Sequence, residues 1–229
     1  MRHRFYLKSK KEQQKIQLLI ALFALIVTLA TLFISWIIEF YLFAILIFPI
    51  TLSILAPFFD TPSLKKSGSL IYYSPLFLSE KPKNGTIQIH GGTLFDYVFV
   101  IASSMNGKQR TTFIIQQYLE GLLNLIEEKE KNKDDDLLIR GTSYIVNERT
   151  AQRIGFKVIK TDSIQKLILL FNYFNVLISY SIAKGKLSFP KLKETKTFET
   201  KLNELIERKE LIRNMNEKLK STIANNTQA

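Results

Sequence analysis

The stretch IQLLIALFALIVTLATLFISWIIEFYLFAILIFPITLSILAPFF, residues 16–59, decides the architecture of this chain. It contains a single charged residue, Glu39, which divides it into two apolar runs, residues 16–38 and 40–59. Because a helix rises about 1.5 Å per residue, each run is long enough to cross the hydrocarbon core of a bilayer, which is about 30 Å thick. The sequence therefore predicts a hairpin of two membrane-spanning helices.

Charged residues on either side of the hairpin predict its orientation. Six Lys and Arg residues and one acid precede the first run, Lys65 and Lys66 follow the second, and the connector at Glu39 has no basic residue. Basic residues concentrate in the cytoplasmic flanks of membrane helices. We therefore expect a two-pass protein of the inner (cytoplasmic) cell membrane with both termini in the cytoplasm. The first run is too long for the apolar region of a signal peptide, so we expect it to be retained.

The composition limits the partners and the chemistry. The formal net charge is +12, and a positive excess remains in residues 60–229. A basic domain beside an anionic leaflet is attracted to lipid headgroups, so the expected partners are the lipid bilayer and its anionic headgroups. Nucleic acid is not an expected partner, because no fingerprint of a nucleic-acid module is present. The chain has no Cys and two His, which excludes disulfides, thiolate chemistry and a histidine-rich metal site, and no cofactor is expected.

Shifts in composition divide the chain into five regions. We predict a basic cytoplasmic N-terminus (1–15), the two-helix hairpin (16–59), a linker (60–68), a cytoplasmic α/β domain (69–193), and an amphipathic, coiled-coil-like helix with a tail (194–229). The expected fold class is thus a membrane α-helical hairpin of two spans plus a cytoplasmic α/β (α+β) domain with a long C-terminal amphipathic helix.

The first part of the α/β domain alternates between strand and helix patterns. Residues 69–78 predict an extended segment interrupted at Pro75, and residues 86–90 predict a short strand. The clearest soluble helix is predicted over 110–131. It runs into the charged stretch 127–136, which we expect to be an exposed connection.

A compact pattern of strand, helix and strand follows. Residues 137–146 and 156–160 predict two strands. Between them, Asn147 predicts the start of a short helix and Gly155 its end. This order indicates a parallel β-α-β crossover.

A second long helix is predicted over 162–184. Residues 167–182 are apolar on nearly every face, and Asn172 and Asn175 interrupt them. A central helix buried in the domain explains this pattern. The alternative is a helix that is embedded in the membrane or faces another subunit.

The C-terminal region has a seven-residue repeat. One row holds Phe198, Leu205, Ile212 and Leu219, and a parallel row includes Asn216. Such rows are typical of a coiled coil in which a polar core residue sets the register, so these five residues are the predicted oligomerisation surface. The alternative is an amphipathic helix that packs on its own domain.

The best candidate for a site is HGGTLFDY, residues 90–97. If a helix begins at Thr93, the side chains of Thr93 and Asp96 form a capping pair. The backbone N–H groups of Gly91, Gly92 and Thr93 then face an anion. His90 and Asp96 are then the candidate catalytic residues, with His90 as acid or base. Two alternatives stay open: Gly91 and Gly92 as a hairpin turn before a strand, and His90 as a purely structural residue.

A second candidate site lies in residues 140–150. Arg140 and Ser143 flank Gly141 in a predicted strand, and Arg149 follows in the short helix. Arginine and hydroxyl groups bind phosphate, so the three residues are candidate anion ligands. The alternative is a solvated basic helix face at Arg149.

Three functions are compatible with these patterns. The first is a membrane-anchored cytoplasmic interaction and assembly module that associates with itself or with other membrane proteins. The second is a membrane-bound transferase or hydrolase that acts on a lipid-linked or phosphorylated substrate. The third is an oligomeric pore-type effector. The sequence lacks the P-loop, dinucleotide-binding, nucleophile-elbow and zinc-protease motifs, which favours the first.

Overall fold

Two long apolar helices form an antiparallel hairpin at the start of the chain. The computed structural model describes residues 3–132, 137–143 and 145–228. Helix α1 (Lys10–Ile37) begins with a capping box between Ser9 and Glu12, and α2 (Tyr41–Leu55) follows a turn at Glu39. The two helices pack against each other, and most of their large apolar side chains are exposed. Both are long and apolar enough to cross a membrane, the second together with the helix that continues it.

The region predicted as a linker is mostly helical. Helix α3 (Pro57–Lys66) continues from α2, with Pro57 in its first turn, where proline is well tolerated. Its buried Thr61 hydroxyl lies 3.2 Å from that of Thr93. Proline, serine and lysine suggested a linker, but these residues are compatible with a helix end that docks on the domain.

A mixed sheet forms the centre of the domain. In the described residues its strands are β1 (Leu70–Ser74), β2 (Phe77–Glu80), β3 (Thr86–Gly91), β4 (Leu138–Ser143), β5 (Lys157–Ile159) and β6 (Lys196–Lys201). Their order is β1-β2-β3-β4-β6-β5. The pair β3–β4 is parallel and the other neighbouring pairs are antiparallel. The extended segments predicted around Pro75 and at residues 86–90 are confirmed.

The predicted β-α-β crossover is present in a split form. Helix α6 (Glu148–Arg153) is capped by the Asn147 side chain and connects β4 to β5. These strands run in the same direction, because both pair antiparallel with β6, which lies between them. The split was not foreseen, since residues 196–201 were expected to belong to a helix.

Helices α4 (Leu94–Val100) and α5 (Gly107–Asn132) form the crossover between the parallel strands β3 and β4. Helix α5 confirms the helix predicted over 110–131, and α4 settles the choice between helix and strand after Gly92. Buried apolar side chains of α5 pack on Phe77, Ile87 and Ile139 of the sheet. Of the charged stretch 127–136, the first part continues α5, and residues 133–136 lie outside the described residues.

The helix predicted over 162–184 is broken. Helices α7 (Ser163–Phe171) and α8 (Tyr173–Lys184) meet at Asn172 with a bend of 74°. Helix α8 packs on α4, α5 and α2. None of the nine described residues of α7 is buried, so the expectation of one central buried helix is wrong for this half.

The C-terminal repeat does not form a single helix. Phe198 lies in β6, and the helices α9 (Leu202–Glu207) and α10 (Lys209–Gln228) follow a short 3₁₀ helix (Leu192–Glu194) and this strand. Phe198, Leu205 and Ile212 are 5%, 0% and 0% exposed, and Leu219 packs against the same core. The predicted coiled-coil surface is therefore used within the chain, because α10 packs on α5.

Asn216 makes polar contacts inside this helix pair rather than setting a coiled-coil register. Its amide oxygen accepts a hydrogen bond from Gln116 at 3.0 Å, and its amide nitrogen donates to Glu120 at 3.0 Å. Lys220 lies 2.8 Å from the same Glu120 carboxylate. A buried amide needs such partners, and this network fixes how α10 aligns with α5.

Candidate functional site

A cavity of about 470 Å³ lies where the parallel strands β3 and β4 end. Residues of the helices α3, α5, α7 and α8 and of the strand β2 also line it. We call it the sheet-edge cavity. The carboxyl ends of parallel strands are a common place for ligands in α/β folds, because the crossover leaves a crevice there.

The structure brings five of the predicted site residues to this cavity. They are His90, Gly91, Gly92, Thr93 and Ser143. His90 and Gly91 are the last residues of β3, Gly92 and Thr93 follow it, and Ser143 ends the neighbouring β4. The two predicted sites thus share one cavity, because their strands are adjacent and parallel.

The predicted pair His90 and Asp96 is not brought together. His90 lies on the exposed side of β3, and its Nε2 donates to Glu80 at 2.9 Å. This hydrogen bond lowers the pKa of the Glu80 carboxyl below its usual value. The imidazole therefore has a surface partner, and its contact is a cross-strand one from β3 to β2.

Asp96 is fully buried and accepts hydrogen bonds from three residues. Its Oδ1 accepts from His3 at 3.1 Å and from Tyr72 at 2.6 Å. Its Oδ2 accepts from the backbone N–H of Thr93 at 2.7 Å and from the Thr93 hydroxyl at 2.9 Å. The predicted capping pair is thus present. Its role is to join α4, the sheet and the N-terminal segment.

Two features of this cluster limit its chemistry. Burial, together with the nearby Asp96 charge, raises the pKa of the Tyr72 phenol, so Tyr72 remains a donor to Asp96. The Thr93 N–H, one of the groups expected to face an anion, is already bonded to Asp96. Asp96 does not line the sheet-edge cavity.

The predicted anion ligands Arg140, Ser143 and Arg149 are not grouped. Arg140 pairs with Glu199 of β6, where its Nε donates at 2.7 Å. Ser143 lies on the opposite face of the strand, since alternate residues face opposite sides. Its hydroxyl accepts from the backbone N–H groups of Ile145 and Val146 at 3.1 and 3.0 Å. Arg149 is exposed on α6, which agrees with the alternative interpretation of a solvated basic helix face.

One residue of the cavity wall was missed as a site residue. Asn175 of α8 is 8% exposed, and its Nδ2 donates to the backbone carbonyl of Ser53 in α2. Its Oδ1 has no hydrogen-bond partner. The signal in the sequence is an amide inside the apolar run 167–182, which bears on whether that run spans the membrane or faces another subunit and does not by itself indicate a site.

Metal binding has no support in the part of the chain described. Within residues 3–132, 137–143 and 145–228, no group of three or more His, Asp or Glu side chains could hold a metal ion. Comparison of the chain with protein-family models, with curated proteins and with solved structures finds no match.

Proposed function

We propose that this chain is a membrane-anchored interaction and assembly module. Its hairpin crosses the inner membrane twice with both termini in the cytoplasm, and its α/β domain associates with further copies or with another membrane protein. The surface that carries this association is the exposed apolar part of α7, which we call the α7 face. It consists of Ile164, Leu167, Ile168, Leu170 and Phe171.

The exposure of the α7 face is the observation that carries the proposal. Its five side chains are between 47% and 73% exposed, although they are all large and apolar. Single exposed apolar residues are common, but a contiguous group marks a surface that meets another protein or a membrane. A nine-residue helix with such a face gains little from remaining in water.

The position of the α7 face favours a partner in the membrane. The hydroxyl of Ser53 in α2 donates to the backbone carbonyl of Phe171 at 3.4 Å. Asn175, just after the bend, bonds to the backbone of the same Ser53. The α7 face therefore lies beside the C-terminal part of α2, in the cytoplasmic half of the apolar run 40–59 that we expect to span the bilayer.

Basic residues near the same interface support attraction to anionic headgroups. Lys8 precedes α1, Lys10 and Lys11 lie in its first turn, and Lys65 and Lys66 end α3. Each basic residue close to an anionic leaflet contributes roughly 1 kcal/mol of attraction. The domain is thus held at the membrane by charge as well as by the hairpin.

Site-specific photo-cross-linking in native membranes tests assembly through the α7 face. The variant Leu170→p-benzoylphenylalanine places a photoreactive ring on the α7 face, and Lys218→p-benzoylphenylalanine is the matched control on the exposed side of α10. We expect a protein adduct of higher mass from position 170 and none from position 218.

Mass spectrometry of the adduct then separates self-association from a second protein. If position 170 reacts only with lipid, no protein adduct forms. That result contradicts assembly through the α7 face, because a packed protein neighbour lies within reach of the ring.

A further inference from the structure

We infer that the sheet-edge cavity binds a hydrocarbon chain of a lipid whose head group carries an O–H or N–H donor, and that Oδ1 of Asn175 accepts a hydrogen bond from this donor. This inference goes beyond assembly and stands independently of it. It concerns the inside of the cavity, whereas assembly concerns the outer α7 face, and the two share only Ile168 at the cavity rim.

The size and lining of the cavity favour a hydrocarbon chain. Its volume of about 470 Å³ falls within the roughly 300–1,000 Å³ typical of small-molecule sites. Its lining is mostly apolar and includes Leu78, Ile145, Leu169 and Val176. Protein interiors are otherwise closely packed, and an apolar space of this size loses dispersion contacts unless a ligand fills it.

The rim of the cavity lies next to the expected membrane interface. Leu64 of α3 and Ile168 of α7 both line it and are 45% and 47% exposed. Helix α3 continues directly from the second apolar helix, and Pro57 at its start also lines the cavity. A lipid chain can therefore pass from the inner leaflet into the cavity between α3 and α7 without crossing water.

The unpartnered Asn175 oxygen defines the polar part of the ligand. Oδ1 is inaccessible to solvent and accepts no hydrogen bond, although a buried amide oxygen normally has a donor. The Nδ2 of the same side chain is bonded to Ser53, which fixes the amide in place. The complementary ligand group is a hydroxyl or an amine, as lipid head groups provide.

Photolabelling of the full chain in vesicles tests the inference. The probe is a monoacylglycerol with a diazirine in its acyl chain, and labelled positions are mapped by peptide mass spectrometry. We expect label on the lining segment that follows β4 and on α8, around Ile145 and Val176. Label confined to the hairpin and the outer α7 face would overturn the inference.

Two variants fill the cavity and one leaves it open. Leu169→Trp in α7 and Ser179→Leu in α8 enlarge side chains that line the cavity. Ile164→Trp enlarges a side chain of α7 that does not line it. We expect cavity labelling to fall in both filling variants and to persist in Ile164→Trp. Two filling variants on different helices keep the test valid if one of them unfolds. Unchanged labelling in a folded filling variant contradicts the inference.

Competition with unlabelled lipids tests the donor and identifies its source. Monoolein has head-group hydroxyls and methyl oleate has none. Monoolein should therefore compete about tenfold better, because one hydrogen bond changes the affinity by about that factor. Dioleoylphosphatidylglycerol shows whether a membrane phospholipid also binds. Asn175→Leu should abolish the preference for monoolein, whereas Ser53→Ala, which keeps Oδ1, should retain it. Equal competition by monoolein and methyl oleate contradicts the role of Asn175.

Discussion

At the scale of single residues, the buried carboxylate of Asp96 links three parts of the chain. It receives hydrogen bonds from the N-terminal His3, from Tyr72 of β1 and from Thr93 at the start of α4. The aromatic rings of Phe5 and Tyr6 pack around the same place. The N-terminal segment before the first apolar helix is therefore part of the folded domain, and the hairpin is attached to the domain at both of its ends.

Replacing Asp96 should destabilise the domain strongly. In Asp96→Ala the donors of Tyr72 and Thr93 lose their acceptor in a buried position, and we expect a loss of about 3 kcal/mol or more. The free energy of unfolding, measured by chemical denaturation of the detergent-solubilised protein, checks this value.

The matched control is Glu80→Ala, which removes an exposed carboxylate from β2. Its effect should stay within about 0.5 kcal/mol. Equal stabilities of the two variants would show that the Asp96 cluster does not stabilise the domain.

The capping pair at Thr93 and Asp96 was predictable, because it depends on a spacing of three residues. The partner of His90 was not. His90 and Glu80 are ten residues apart and meet only through the register of β2 and β3. In the same way, Arg140 meets Glu199 only through the pairing of β4 with β6. Contacts of this kind depend on the order of the strands, which local sequence does not specify.

At the scale of elements, the seven-residue repeat shows how one pattern fits two structures. A coiled coil and a helix packed on its own domain both need an apolar stripe on one side. Ile212 and Asn216 face α5, and Phe198 lies in the same seven-residue row as Ile212 although it belongs to a strand. The strand KTFETK was missed because its Thr197, Phe198 and Thr200 do not alternate regularly with the charged residues. The strand pattern is therefore too weak to stand out against the helix pattern.

The role of α10 as an internal element gives a testable consequence. Ile212→Ala removes a fully buried side chain, so we expect a loss of about 2–5 kcal/mol in the free energy of unfolding. Lys218→Ala, on the exposed side of the same helix, should change it by less than about 0.5 kcal/mol.

Light scattering of the purified protein distinguishes the two interpretations of this helix. The account predicts that Ile212→Ala lowers stability without changing the mass of the particle. Loss of an oligomer with unchanged stability of the monomer would instead support the coiled coil.

The break between α7 and α8 is also an effect at the scale of elements. Asn172 ends α7, and its side chain donates to the carbonyl of Ile168 at 2.9 Å. Asparagine competes for backbone hydrogen bonds in this way, which favours helix ends. The apolar composition of residues 167–182 was visible in the sequence, but the bend that exposes α7 and buries part of α8 depends on packing against α2, α4 and α5.

At the scale of the whole molecule, the hairpin was the most predictable part. Two uncharged apolar runs of about 20 residues need no tertiary information to be recognised. The order of the six described strands depends on pairings between distant segments, and neither the insertion of β6 nor the cavity beside β3 and β4 follows from local patterns. The mixed α and β composition was foreseen, and the shared location of the two candidate sites was not.

Every functional proposal made for this protein depends on the orientation of the hairpin, because that orientation would set which side of the membrane the domain and the α7 face occupy. The chain has no cysteine, so single introduced cysteines report their own positions. Glu39→Cys lies in the connector of the hairpin, and Lys83→Cys lies in the exposed turn between β2 and β3.

Labelling of intact spheroplasts with a membrane-impermeant maleimide is the most direct test of this arrangement. The account predicts that Glu39→Cys reacts from outside and that Lys83→Cys reacts only after the membrane is disrupted. Reaction of Lys83→Cys in intact spheroplasts, with Glu39→Cys protected until disruption, would contradict it.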